Sequence, residues 1–176
     1  MTPGIARVDG PPKIDREDTD IMKPINDQLI DHEGERLKPY VDCCSKSWRD
    51  CLCIHKGKLT IGVGRNLDDV GISQNESRYL LDNDVGRVRM ELDEALPWWR
   101  SLDLIRQQVL IDLGFNLGVL TPPDTAKLLT FKQTLEMIRT GQYTAAADRL
   151  ATLPWHKQVG QRALELEAML RSPVEV

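Results

Sequence analysis

Apolar residues along this chain recur at helical spacing in several stretches and at alternating spacing in one. Ile21, Ile25 and Leu29 share one face of a helix expected over residues 21–32, with Asp20 placed to cap it. Between Tyr40 and Leu67 the period drops to two. Leu59, Ile61 and Val63 fall on one face of a strand and Thr60 on the other. The neighbours of Thr60 are thus expected to build the core of a small lobe while Thr60 faces a cleft. Lys56-Gly57 reads as the tip of a hairpin leading into that strand.

Helical spacing resumes after the Asp68-Asp69 turn. Ser73 and Glu76 have the spacing of a capping box, and Leu81, Val85, Val88, Leu92 and Leu96 follow one turn apart until Pro97 stops the helix. At 1.5 Å per residue, a helix of about 22 residues extends roughly 33 Å, enough to connect two lobes. Ser101 is expected to cap the next helix, which runs to Gly118 and is apolar almost all round, so it should be the buried helix of the larger lobe. Thr121-Pro122-Pro123 is a loop, and shorter helices are expected over 131–139, 143–150 and 159–170, punctuated by Gly141 and Pro154.

The predicted class is therefore α+β, mostly helical, with two lobes joined by a long helix and one lobe a small β-hairpin. A flexible arm over residues 1–20 is expected from Pro3, Pro11, Pro12, Gly4, Gly10 and the acidic run from Asp15 to Asp20. The remainder, 21–176, reads as a single domain: β lobe 34–72, linking helix 74–96, helical lobe 98–171.

Composition narrows the function classes. The 176 residues suffice for one core or two small lobes. With 23 basic against 27 acidic residues the net charge is −4, and no basic stripe or aromatic run marks a nucleic-acid partner. No stretch approaches the ~20 apolar residues of a membrane span, and the N-terminus lacks the apolar segment of a conventional secretory signal. Arg36, Lys38, Lys56, Lys58 and Arg65 are candidates for a locally basic rim that would steer an anionic polymer.

Carboxyls supply the candidate chemistry. Glu33 closes the polar end of the first helix, Asp42 follows nine residues later, and Thr60 lies in the strand. Two carboxyls across a glycosidic bond can divide the work. One gives a proton to the leaving oxygen while the other, ionised, activates or orients a water. Thr60 offers a neutral hydroxyl that positions the same water without competing for its proton.

Glu33-Gly34, Arg36-Leu37-Lys38, Tyr40-Val41-Asp42 and Gly57 to Gly64 (GKLTIGVG) together form a string that resembles the bacteriophage lysozymes (endolysins) of glycoside hydrolase family 24, the phage-type muramidases. Similarity continues through Arg65-Asn66-Leu67, Gly71-Ile72-Ser73 to Asp84-Val85, Gly114 to Gly118 (GFNLG), Phe131, Trp155 and Gln161-Arg162-Ala163, covering residues 21–170. The resemblance implies a lysozyme-like fold and hydrolysis of the β-1,4 bond between N-acetylmuramic acid and N-acetylglucosamine. It assigns Glu33 as general acid, with Asp42 and Thr60 holding water. Phe115 and Asn116 would contact the glycan, and Arg162 would pair with the catalytic glutamate as structural support. It also implies inversion of configuration, no metal or organic cofactor, and a monomer made in the host cytoplasm. Access to peptidoglycan in the periplasm would depend on a separate holin-like protein that permeabilises the membrane.

One departure from the family stands out. It usually places about five residues between the aspartate and the threonine, whereas 17 intervene here. Residues 43–54 read as an insertion, which brings a second acid, Asp50, as an alternative water-holder, with Cys43 a distant third. The insertion also carries all four cysteines, Cys43, Cys44, Cys51 and Cys53, spaced unlike structural zinc pairs. One or two disulfides are expected, with a thiolate site that includes His55 as the alternative. Trp98 and Trp99 offer either a sugar-stacking face or interlobe packing, and His32 and His156 look incidental. Two other functions stay open: a transglycosylase or chitin-type relative, and an inactive wall-binding or zinc-stabilised module.

Overall fold

Two compact units divide the chain between Tyr79 and Leu80, inside a long helix. The computed structural model describes residues 16–43 and 57–173, with side chains from Ile25 onward. In the first unit, α1 (Arg16–Glu33) leads into β1 (Arg36–Val41), β2 (Leu59–Gly62) and β3 (Arg65–Asn66), which form an antiparallel sheet in the order β1-β2-β3. The helix begins at Arg16, earlier than the Asp20 cap expected from sequence. Its end is as expected: Gly34 takes a positive φ of 72°, and its N–H closes on the carbonyl of Ile30 at 2.8 Å.

The sheet corrects one expectation. Alternation along β2 is present, yet Thr60 is the buried residue, while Leu59 and Ile61 are half-buried. Tyr40 pairs with Thr60 and Val41 with Leu59, and the register shifts between Arg36 and Tyr40. A branched residue with a small polar tip suits this covered side once its hydroxyl has a partner.

The boundary helix α2 (Gln74–Ala95) opens on the expected capping box. The N–H of Ser73 donates to Glu76 Oε2 at 2.7 Å, and the N–H of Glu76 donates to Ser73 Oγ at 3.3 Å. In the second unit follow α3 (Leu104–Leu117), α4 (Lys132–Arg139), α5 (Tyr143–Ala151), α6 (Pro154–Val159) and α7 (Gln161–Arg171). Asp103, not Ser101, caps α3, accepting from the N–H groups of Ile105 and Arg106, because residues 99–101 turn as a short 3₁₀ segment. Nor is α3 buried all round: Val109, Leu110 and Leu113 are, whereas Leu104 and Phe115 face solvent. The last helix expected over 159–170 is α7, and α6, not expected from sequence, precedes it and ends where Gly160 adopts a φ of 56°.

The core of this unit gathers Val88 and Leu92 of α2, Val109, Leu110 and Leu113 of α3, and apolar residues of α4, α5 and α7. Trp99 is buried in it and Trp98 packs against it, so both tryptophans serve the core of this unit. The fold is thus α+β and mostly helical, as expected: among the described residues, seven α-helices and one small three-stranded sheet. No described helix is long and apolar enough to cross a membrane.

Candidate functional site

In the first unit the site is organised by the backbone of one residue, Lys58. Its N–H donates to Asp42 Oδ1 at 2.8 Å, and its carbonyl accepts from the N–H of Asp42 at 3.2 Å and from Thr60 Oγ1 at 3.1 Å. Asp42 and Thr60, with 17 residues between them in sequence, are therefore both fixed to the Lys58 carbonyl, and Asp42 also to the Lys58 N–H. The ladder continues from Val41↔Leu59 to this Asp42–Lys58 exchange, so the register is kept through Asp42. Gly57 makes the closure possible. A Cβ there would lie 2.5 Å from Val41 Cγ1, 2.7 Å from Asp42 Oδ1 and 2.8 Å from Cys43 Sγ.

The Thr60 hydroxyl donates to the Lys58 carbonyl, which leaves its lone pairs for a water proton. Asp42 uses Oδ1 on the Lys58 N–H, and among the described residues nothing donates to Oδ2. Among the described residues, each group thus keeps acceptor capacity without a donor. Glu33 is exposed at the end of α1, and its Oε2 lies 4.0 Å from where a Cβ on Gly64 would stand. This brings the carboxyl over the β2–β3 turn of the same unit.

Two cations of the expected rim are paired with acids. Lys58 Nζ pairs with Asp69 at 2.9 Å and Arg65 pairs with Glu76 at 2.7 Å. Asp69, through its hydrogen bond and charge, holds the Lys58 ammonium above its ordinary range. Donation from Ser73, supported by Arg65, holds the Glu76 carboxyl below its own. Arg36 lies over the Tyr40 ring at 4.5 Å. Lys56 and Asp50 lie outside the described residues, as do Cys44, Cys51, Cys53 and His55. Cys43 is disulfide-bonded.

The second unit contains a pocket of about 1170 Å³. Phe115 and Asn116 line it from the end of α3, opposite Phe131, Leu153 and Trp155. Trp155 Nε1 donates to Asn116 Oδ1 at 2.7 Å, and its ring meets Phe131 edge-on at 6.3 Å. Phe115 is 42% exposed. Arg162 donates through Nε to Asp112 Oδ1 at 2.7 Å, and that carboxylate fixes its guanidinium. His156 is not isolated: Nε2 lies 2.9 Å from Oε1 of buried Glu167, although off the line of a hydrogen bond.

Sequence reasoning missed the two residues that shape the sites from behind. Lys58 acts through its backbone, which no side-chain motif reveals. Glu91 sits among Val88 and Leu92 on the buried face of α2, and an acid on an apolar face was the available signal.

The profile of the phage lysozyme family matches residues 30–171, most of the chain. None of the curated proteins matches it. The matched span takes in Glu33, the Asp42–Thr60 hairpin, the aromatic pocket and Arg162. The chain belongs to the phage lysozyme family, whose members are glycosidases that degrade peptidoglycan.

Proposed function

We propose that this lysozyme is an endolysin, cleaving the β-1,4 bond between N-acetylmuramic acid and N-acetylglucosamine to lyse a bacterial host at the end of a phage cycle. The observation that carries the reading is the attachment of Asp42 and Thr60 to the Lys58 peptide groups, which pairs two water acceptors within a family of glycosidases. Glu33 donates its proton to the leaving oxygen. Asp42 and Thr60 hold the attacking water by its hydrogens, and Asp42 takes up the proton lost on attack. Asp42 is favoured over Asp50 because it is already locked to the strand that carries Thr60. Phe115 and Asn116 contact the glycan, and Arg162, fixed by Asp112, supports the site.

Attack by a held water on the face opposite the leaving group inverts the anomeric centre, and such enzymes separate their carboxyls by about 6.5–9.5 Å to make room for it. No metal or organic cofactor enters this chemistry. The enzyme works as a monomer, is made in the host cytoplasm and reaches the periplasmic wall through a holin-like partner.

Purified peptidoglycan incubated with the wild type and with Glu33→Gln tests the reading by counting new reducing ends. The wild type should release them and the folded variant should release essentially none, a loss of at least about a hundredfold when the proton donor is removed. Equal release by both would strip Glu33 of its role. No release by either would end the muramidase reading.

A further inference from the structure

Glu91 lies on α2, 8% exposed, among the apolar residues of the helix's buried face. Its Oε2 accepts from two consecutive backbone N–H groups, Leu120 at 2.9 Å and Thr121 at 3.2 Å. Its Oε1 faces Arg87 Nη1 at 3.5 Å, and the other end of that guanidinium pairs with Asp84 at 3.0 Å. The two N–H groups belong to the loop over residues 118–127, which supplies Thr121, Pro122, Asp124, Thr125 and Lys127 to the wall of the pocket. At its start, Val119 is buried in the core. At its far end, the N–H groups of Lys127 and Leu128 return to the carbonyls of Leu117 and Gly118. Between these anchors, among the described residues, the Glu91 carboxylate is the side chain that bonds the loop backbone.

We propose that Glu91 is a positioning residue for the lysozyme reaction: its buried carboxylate seats the 118–127 loop as one wall of the pocket and thereby sets how tightly the glycan is held. A buried carboxylate with two backbone donors is a charge-assisted contact, roughly twice as strong as a neutral one. Without it, two amides lose their acceptor and Arg87 keeps only Asp84, and the loop relaxes away from Phe115, Asn116 and Trp155. Glu91 touches no reacting atom, so its loss falls on binding and not on the chemical step.

The inference rests on the peptidoglycan reading, and its test keeps the two apart. Wild type, Glu91→Gln, Glu91→Leu and the exposed control Glu94→Gln are assayed on purified peptidoglycan for KM and kcat. Amide exchange at Leu120 and Thr121 is followed by NMR in the full chain. Glu91→Leu should raise KM about tenfold and speed exchange at both amides by a similar factor, with kcat within about twofold. Glu91→Gln keeps one acceptor oxygen and should raise KM about threefold, and Glu94→Gln should match the wild type. A purely structural role would lower the folded fraction, reducing apparent kcat while leaving KM alone. Unchanged KM and exchange in both Glu91 variants, or in Glu91→Gln alone if the leucine variant does not fold, would overturn the inference. A wild type without activity would overturn the peptidoglycan reading, and exchange at Leu120 and Thr121 would then decide by itself whether Glu91 seats the loop.

Discussion

A methyl group at Gly57 has nowhere to go. It would stand 2.5–2.8 Å from Val41, Asp42 and Cys43, and Cys43 is held by its disulfide. The carboxylate of Asp42 is the neighbour able to yield, which would pull Oδ1 off the Lys58 N–H. Displacements of about 1 Å at a catalytic group can cost about a hundredfold in rate. Gly57→Ala should therefore lose at least about tenfold in reducing-end release while folding with only about 1–3 kcal/mol less stability, the usual range for overpacking. Wild-type turnover by Gly57→Ala would show that Asp42 does not need its seat on Lys58.

At the scale of elements, the start of α3 is closed by an acid. Asp103 caps α3 through Oδ1, which accepts from the N–H groups of Ile105 at 3.0 Å and Arg106 at 3.2 Å, and it also meets the Arg106 guanidinium at 3.4 Å. Arg106 in turn is 1% exposed, lies over the Tyr143 ring, and donates to the carbonyls of Leu170, Ser172 and Pro173, tying α3 to the end of α7. Asp103 thus serves both the helix end and the buried cation. Asp103→Ala should cost about 1–2 kcal/mol, the upper part of the range for a lost cap, lowering Tm by about 2–8 °C in a chain of this size. Asp103→Asn keeps the cap oxygen and removes the charge, so the difference between the two melts isolates the Arg106 contribution. Equal melting of both variants with the wild type would deny Asp103 either role.

Across the whole molecule, stability is distributed over ion pairs and capped carboxylates whose titration sets its pH range. Lys58 and Asn66 hold the Asp69 carboxyl below its ordinary value, Ser73 and Arg65 do so for Glu76, and Arg100 for Asp93. Burial pushes Glu91 up, but donation from Leu120 and Thr121 together with Arg87 brings it below its ordinary value. A carboxyl depressed on folding contributes stability that is fully present above its unfolded value, near 4, and is lost as pH falls through the folded one. Lys58, raised above 10.5 by Asp69, contributes below that value and loses it only as pH rises beyond. Tm should accordingly be flat from about pH 6 to 9 and fall progressively below about pH 4.5. Thermal melts at fixed ionic strength check this, and a Tm unchanged between pH 7 and pH 3 would contradict it.

Local patterns were legible wherever neighbours in sequence are also neighbours in space. The Ser73–Glu76 capping box, the stop at Pro97 and the presence of a strand around Thr60 all follow from spacing within one turn or one strand. By itself the sequence determined the α+β class, the lysozyme family and the acids Glu33 and Asp42 as candidates, because these rest on local periodicity and on a contiguous string of residue types. Tertiary structure alone decided which face of β2 is buried, since a half-apolar strand fits either way until something covers it. It alone fastened Asp42 and Thr60 to Lys58 across 17 intervening residues, occupied Lys58 and Arg65 with acids, and set Glu91 under the pocket loop. Those are contacts between distant segments, and backbone donors and acceptors carry no residue type for a sequence to display.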